Sequence, residues 1–114
     1  MENKNELEHL LSQLQMQNQH LQTIMMQHQT LTLQNKELEA ALESIEKSQD
    51  DIFRSVGPIL VKVSKEEIKK ELSEEKEEIA LKLSALDRQE KRIKEKLKEM
   101  QEKFRLKGIR NLRY

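Results

Sequence analysis

Leucine and isoleucine recur every three or four residues along two long stretches of this chain, and between the stretches the pattern changes to alternation. With Leu7 as position a of a seven-residue repeat, the a series reads Leu7, Leu14, Leu21, His28, Asn35, Leu42 and Gln49. The d series reads Leu10, Gln17, Ile24, Leu31, Leu38 and Ile45. Nine of these thirteen positions are Leu or Ile, a repeat long enough to predict a coiled-coil helix over about residues 5–49. Leu11, Met25 and Leu33 lie outside the a and d lines and widen the apolar stripe, which predicts contact with more than one neighbour.

The second stretch, residues 65–106, has Leu72, Ile79, Leu86, Ile93 and Met100 at d and Lys76, Leu83, Glu90, Leu97 and Phe104 at a. Its start is marked by Ser64-Lys65-Glu66-Glu67, which has the spacing of a capping box. Acids gather in its first turns, where the helix dipole favours them. Gly108 is a stop signal, leaving residues 107–114 as a basic tail. Each helix would be about 65 Å long at 1.5 Å per residue, so a parallel pair would need a connector of that reach. The connector, residues 50–64, is far too short for that, and the helices are expected to pair antiparallel.

Within the connector Ile59, Val61 and Val63 alternate with Leu60 and Lys62, a strand signal. Ile52–Val56 forms a weaker strand candidate, with Gly57-Pro58 as the turn between them. A lone two-stranded hairpin is marginal in water, and its free edges invite pairing. The hairpin is therefore expected to be completed by strands of other subunits. The fold class is mainly α: an antiparallel two-helix coiled-coil hairpin with a short β-hairpin connector, forming one domain over 1–114.

Composition narrows the functional classes. Aromatic residues are only 3% of the chain, too few bulky groups for a broad core around an enclosed active site. The net charge of zero hides an asymmetry. Residues 1–50 have three lysines against eight acids, net −5, while residues 65–114 have sixteen bases against twelve acids, net +4. The halves complement one another. The run Lys91-Arg92…Lys94…Lys96…Lys98 is interleaved with Glu90, Glu95, Glu99 and Glu102, and Glu95–Lys98 and Glu99–Lys103 have the spacing of helix-surface ion pairs. A solvated face is expected there rather than a nucleic-acid site.

His9, His20 and His28 are the only histidines, there is no cysteine, and no metal-binding or phosphate-loop motif occurs, so neither an enzyme nor a cofactor is expected. A polar N-terminus and the lack of a long apolar run point to a cytoplasmic protein without membrane contact. In an antiparallel pair the chain ends meet. Leu7, Leu10, Leu11 and Leu14 then face Leu97, Met100, Phe104 and Leu106, with Ile109 and Leu112 in the tail. These residues either close the seam or form an apolar tip able to grip exposed hydrophobic segments.

The connector Phe53-Arg54-Ser55-Val56-Gly57-Pro58-Ile59-Leu60-Val61-Lys62-Val63 and the stretch Leu86-Asp87-Arg88-Gln89-Glu90-Lys91-Arg92, followed by Lys96-Leu97-Lys98-Glu99-Met100-Gln101, resemble the prefoldin family, in particular its beta type in archaeal form. The layout is similar over residues 5–106, although the Gln-, Met- and His-rich stretch 15–29 carries no motif of its own. The resemblance implies an ATP-independent holdase. Its hairpins join into intersubunit β-barrels of a hexamer of two alpha and four beta subunits, and its coiled-coil tips bind unfolded client proteins for delivery to a group II chaperonin. It implies that Ile52, Phe53, Val56 and Gly57, with Ile59, Leu60, Val61 and Val63, hold the assembly, while the tip residues above bind clients. A structural coiled-coil adaptor is the alternative.

Overall fold

The structure is a computed structural model that describes residues 2–112, with side chains described over residues 4–108. Four elements follow one another: α1 (Glu2–Lys47), β1 (Ile52–Val56), β2 (Ile59–Val63) and α2 (Lys65–Leu112). The two strands form an antiparallel two-stranded sheet. The chain divides into two compact units. A terminal unit comprises Met1–His28 and Ala85–Tyr114, and a hairpin unit comprises Gln29–Ser84.

In the terminal unit the two helical segments run antiparallel, since Glu6 pairs with Lys107 and His28 with Asp87. Its seam holds the buried side chains Leu10, Leu14, Ile24, Leu86, Ile93, Leu97 and Met100. Every one is a predicted a or d residue, so the heptad reading places the core correctly. In the hairpin unit the helical segments are likewise antiparallel, with Glu39 paired to Lys76 and Glu46 to Lys69. There only Ile68 and Ile79 are buried. Leu31, Leu38, Leu42 and Ile45 are half-buried, as expected of a seam covered from one side. The polar seam residues Gln17, His28, Asn35, Lys76 and Glu90 are also half-buried, their polar ends reaching solvent at the rim.

Two local expectations change. Leu11, Met25 and Leu33 are exposed rather than packed in a broader stripe, because two helices cover only the a and d lines of each other. Gly108 does not end α2, which continues to Leu112. A single glycine costs a helix about 1 kcal/mol relative to alanine, and no proline follows to enforce a stop. The helix thus takes in residues 107–112 of the expected basic tail, while Arg113 and Tyr114, and the side chains of Ile109 and Leu112, lie outside the described residues.

Candidate functional site

Gly57 is the pivot of the hairpin. Its φ of 59° lies where a Cβ is disfavoured, and it is followed by Pro58, whose ring forbids a positive φ. A positive φ at the first central position only is the type II′ pattern, whose twist suits a two-residue hairpin loop. It sets the register Val56↔Ile59, Ser55↔Leu60, Arg54↔Val61, Phe53↔Lys62 and Ile52↔Val63. One face of the sheet therefore carries Ile52, Arg54 and Val56 beside Val63, Val61 and Ile59, and the other carries Phe53 and Ser55 beside Lys62 and Leu60. Only Ile52, Arg54 and Val63 are even half-buried. Phe53, Val56, Ile59, Leu60 and Val61 are exposed, Leu60 at 68%. The first face is thus partly covered at Ile52, Arg54 and Val63, the second leaves Phe53 and Leu60 open, and the sheet has two free edges.

Polar contacts fasten the sheet within its unit. Arg54 pairs with Glu71 of α2, and Lys62 Nζ lies 3.4 Å from Asp51 Oδ2. The end of α1 lacks a glycine cap, and Lys65 supplies what it lacks. Its Nζ donates to the carbonyls of Glu46 and Ser48 at 3.1 and 3.2 Å, satisfying acceptors that a helix end leaves open. Lys69 hydrogen-bonds Glu46 and adds its charge, holding that carboxyl below the usual glutamate range. Ser64 caps α2 as expected, its Oγ accepting from the Glu67 amide at 3.5 Å, a long bond. The sequence reading missed Lys65 and the Arg54–Glu71 pair. The signal available for Lys65 was the absence of glycine after Lys47 together with a lysine opening the next helix.

The proposed tip residues all fall in the terminal unit. Leu10, Leu14, Leu97 and Met100 are buried in its seam, Leu7 and Phe104 are half-buried, and Leu11 and Leu106 are exposed. A shallow groove of about 270 Å³ lies beside them, lined by Gln13, Met16, Lys96 and Met100 among others. His28 Nε2 lies 2.9 Å from Asp87 Oδ1, and His9 Nε2 lies 3.1 Å from Gln13 Nε2. Among the described residues no group of three His, Cys, Asp or Glu side chains converges as a metal site would, and no helix is long and apolar enough to cross a membrane. Along the charged run of α2 the ion pairs that form are Glu90–Lys94 and Glu102–Arg105, which hold both glutamates below their usual range. The expected partners Lys98 and Lys103 have no ion pair among the described residues.

Two long helices and the two-stranded antiparallel hairpin between them, with a buried apolar seam in the terminal unit and exposed apolar residues on the sheet of the hairpin unit, define a coiled-coil hairpin subunit. The family model for the prefoldin subunit matches residues 8–107. The chain belongs to the prefoldin family and is of its beta type. The crystal structure of the prefoldin beta subunit from Thermococcus strain KS-1 is 35% identical, with 87% of this chain and 89% of that chain covered and a TM-score of 0.80. The prefoldin beta2 subunit from the same strain is 28% identical, with 78% and 97% covered and a TM-score of 0.69. A comparison with curated proteins finds no match. Membership brings a chaperone-type role and a hetero-oligomeric assembly, in a family of chaperones rather than enzymes.

Proposed function

We propose that this chain is the beta subunit of an ATP-independent holdase. It assembles with an alpha subunit into a hexamer of two alpha and four beta chains in the cytoplasm, binds non-native proteins through its terminal unit and passes them to a group II chaperonin. The observation that carries the reading is the hairpin. Phe53, Val56, Ile59, Leu60 and Val61 are exposed on a two-stranded sheet with free edges. Such a surface is tolerable only when other strands cover it. An adaptor would need only a turn at this point.

Client binding is assigned to the terminal unit because the apolar residues left there can serve contacts outside the chain. Leu11 and Leu106 offer a direct surface, and Leu7 and Phe104 lie half-covered beside them. Leu10, Leu14, Leu97 and Met100 join when the last turns part, since helix ends are the least stable parts of a seam. Burial of roughly 100–150 Å² at one tip yields a few kcal/mol at about 25 cal/mol per Å², before ordering costs. A single tip therefore binds weakly, and several tips on one body hold a client through effective concentration. Weak multiple contacts also allow release without nucleotide, in keeping with a chain whose only glycines are Gly57 and Gly108 and which has no phosphate loop.

The test is light scattering of a chemically denatured protein diluted into ATP-free buffer, with this chain alone and with an alpha subunit. Suppression of aggregation at near-stoichiometric amounts, strongest for the mixed complex, is the expected result. An assembled complex that suppresses nothing would favour the adaptor. Transfer of the held protein to a group II chaperonin is read by recovery of its native activity once chaperonin and ATP are added.

A further inference from the structure

The chain has no cysteine, so the methionine thioethers are its softest and most readily oxidised groups. Their placement is uneven. The five methionines are Met1, Met16, Met25, Met26 and Met100, and residues 29–84, the whole of the hairpin unit, contain none. Met1 lies outside the described residues. Of the other four, Met16, Met25 and Met26 are 65%, 51% and 68% exposed, while Met100 is 6% exposed. The heptad accounts for the split. Met100 occupies d and packs in the seam, whereas Met16, Met25 and Met26 occupy c, e and f of α1 and are held off it.

The exposed sulfurs therefore sit where oxidation alters the surface and spares the scaffold. Among the described residues, the large apolar side chains exposed on the terminal unit are Leu11, Met16, Met25, Met26 and Leu106, so three of the five are methionine. Met16 also lines the groove beside the tip together with Met100. The rest of the buried seam, Leu10, Leu14, Ile24, Leu86, Ile93 and Leu97, is aliphatic and inert to mild oxidants. The exposed side chains of the sheet, Phe53, Val56, Ile59, Leu60 and Val61, carry no sulfur either. From His9 to His28 α1 has no Asp, Glu, Lys or Arg, so its exposed face holds a partner chiefly through apolar contacts and side-chain hydrogen bonds. A polar oxygen on three of its few apolar groups changes that face more than it would change a charged one.

We propose that Met16, Met25 and Met26 form a reversible oxidation site through which peroxides weaken client capture while fold and assembly persist. The lone pair of the thioether sulfur attacks the outer oxygen of hydrogen peroxide. The S–O bond forms as the O–O bond breaks, the sulfur gives up two electrons, and the departing oxygen takes the proton of the transferred one and leaves as water. The sulfoxide is polar, and its oxygen must lose its water when an apolar client segment covers it. Two sulfoxide reductases, one for each epimer, restore the thioether with electrons from a dithiol, which becomes a disulfide as water is released. The inference rests on the holdase reading and deepens it, adding a control to the surface that grips clients.

The assembled complex with an alpha subunit is the sample for the test. It is treated with hydrogen peroxide, the peroxide is destroyed with catalase, and holding is then read by light scattering of a chemically denatured client. Peptide mass mapping over the time course is expected to show Met16, Met25 and Met26 oxidised about tenfold faster than Met100, in line with their exposures. The oxidised complex is expected to keep its helicity in circular dichroism and its mass in analytical ultracentrifugation, and to lose most of its suppression of aggregation. Both reductases with dithiothreitol should restore it. The triple variant Met16→Leu, Met25→Leu, Met26→Leu keeps apolar side chains of similar volume without the sulfur, and its complex should hold clients before and after peroxide. Oxidation of Met100 at the same rate overturns the proposal. So does undiminished holding by the oxidised complex, or loss of holding by the oxidised leucine variant, which would put the sensitive group elsewhere. Dissociation of the oxidised complex also overturns it, since assembly would then be the target. An untreated complex that holds no client overturns the holdase reading and with it the control of capture, whereas the oxidation site still stands or falls on the mapping.

Discussion

The terminal unit and the hairpin unit divide their apolar side chains differently between seam and surface. The terminal unit buries seven along one seam, Ile24 only 1% exposed, and leaves Leu11, Met16, Met25, Met26 and Leu106 outside it. The hairpin unit buries two and leaves five exposed on its sheet, with Leu33 and Leu81 exposed on its helices. Leucine and isoleucine serve both patterns, while all three valines of the chain lie in the strands. The difference lies in period. A repeat of three and four faces one line of a second helix and is satisfied within the chain, whereas a repeat of two presents both faces of a sheet that has no second layer. The first unit closes its seam within the chain, and the second leaves its sheet open.

The sharpest way to break this contrast is to put a charge on each side of it. Leu60→Asp is expected to abolish assembly with an alpha subunit, because a buried unpaired carboxylate costs several kcal/mol. The isolated chain should keep its helicity, since Leu60 touches water there. Analytical ultracentrifugation reads the outcome, and a hexamer that survives the substitution would remove the hairpin from the interface. Truncation gives the reverse pattern. Ile24→Ala should destabilise the isolated chain by about 2–4 kcal/mol in a urea melt, within the range for deleting a buried aliphatic side chain. Leu60→Ala should shift the same melt by no more than about 0.5 kcal/mol. Equal shifts would mean that the hairpin is already covered within the chain.

How much of this was legible in the sequence follows the same division. The seam was, because a and d positions carry their own geometry: Leu10, Leu14, Ile24, Leu86, Ile93, Leu97 and Met100 were placed by counting alone and all are buried. The strands were placed by β-branched alternation, and Gly57-Pro58 located the turn. Contacts that depend on where one element ends relative to another were not legible. Lys65 reaches two carbonyls of α1, and Arg54 reaches Glu71 across the connector, and no local pattern encodes either. The tip is a third case. Residue type and position nominated Leu10, Leu14, Leu97 and Met100 both as seam and as client surface, and only packing shows that they are closed in the isolated chain.

Lys65 allows the hairpin unit to be weakened without touching its apolar surface. Lys65→Met keeps the aliphatic stem and removes both hydrogen bonds to the α1 carbonyls. The expected loss is about 1 kcal/mol, measured as a lowered denaturation midpoint with an unchanged slope. Hydrogen exchange should quicken at the end of α1 and the start of β1 while the terminal unit keeps its protection. Uniform quickening along α1 would show that the two units unfold as one.

The smallest effect expected is electrostatic, and its sign follows from Glu46. Lys69 holds this carboxyl below the usual glutamate range in the folded chain. A group whose folded value is depressed favours the folded state once it is ionised, so its contribution is fully present above the ordinary carboxylate range and is lost as pH falls through it. Glu90 beside Lys94 and Glu102 beside Arg105 act in the same direction in the terminal unit. All three glutamates are solvated, so each contribution is slight and screened by salt. Thermal melts in low salt should therefore fall gently as the pH drops below the carboxylate range. Lys69→Met should flatten the part of that fall that belongs to the hairpin unit and leave the neutral-pH melt almost unchanged. A melt that stays flat across the carboxylate range would show that these pairs contribute nothing to stability.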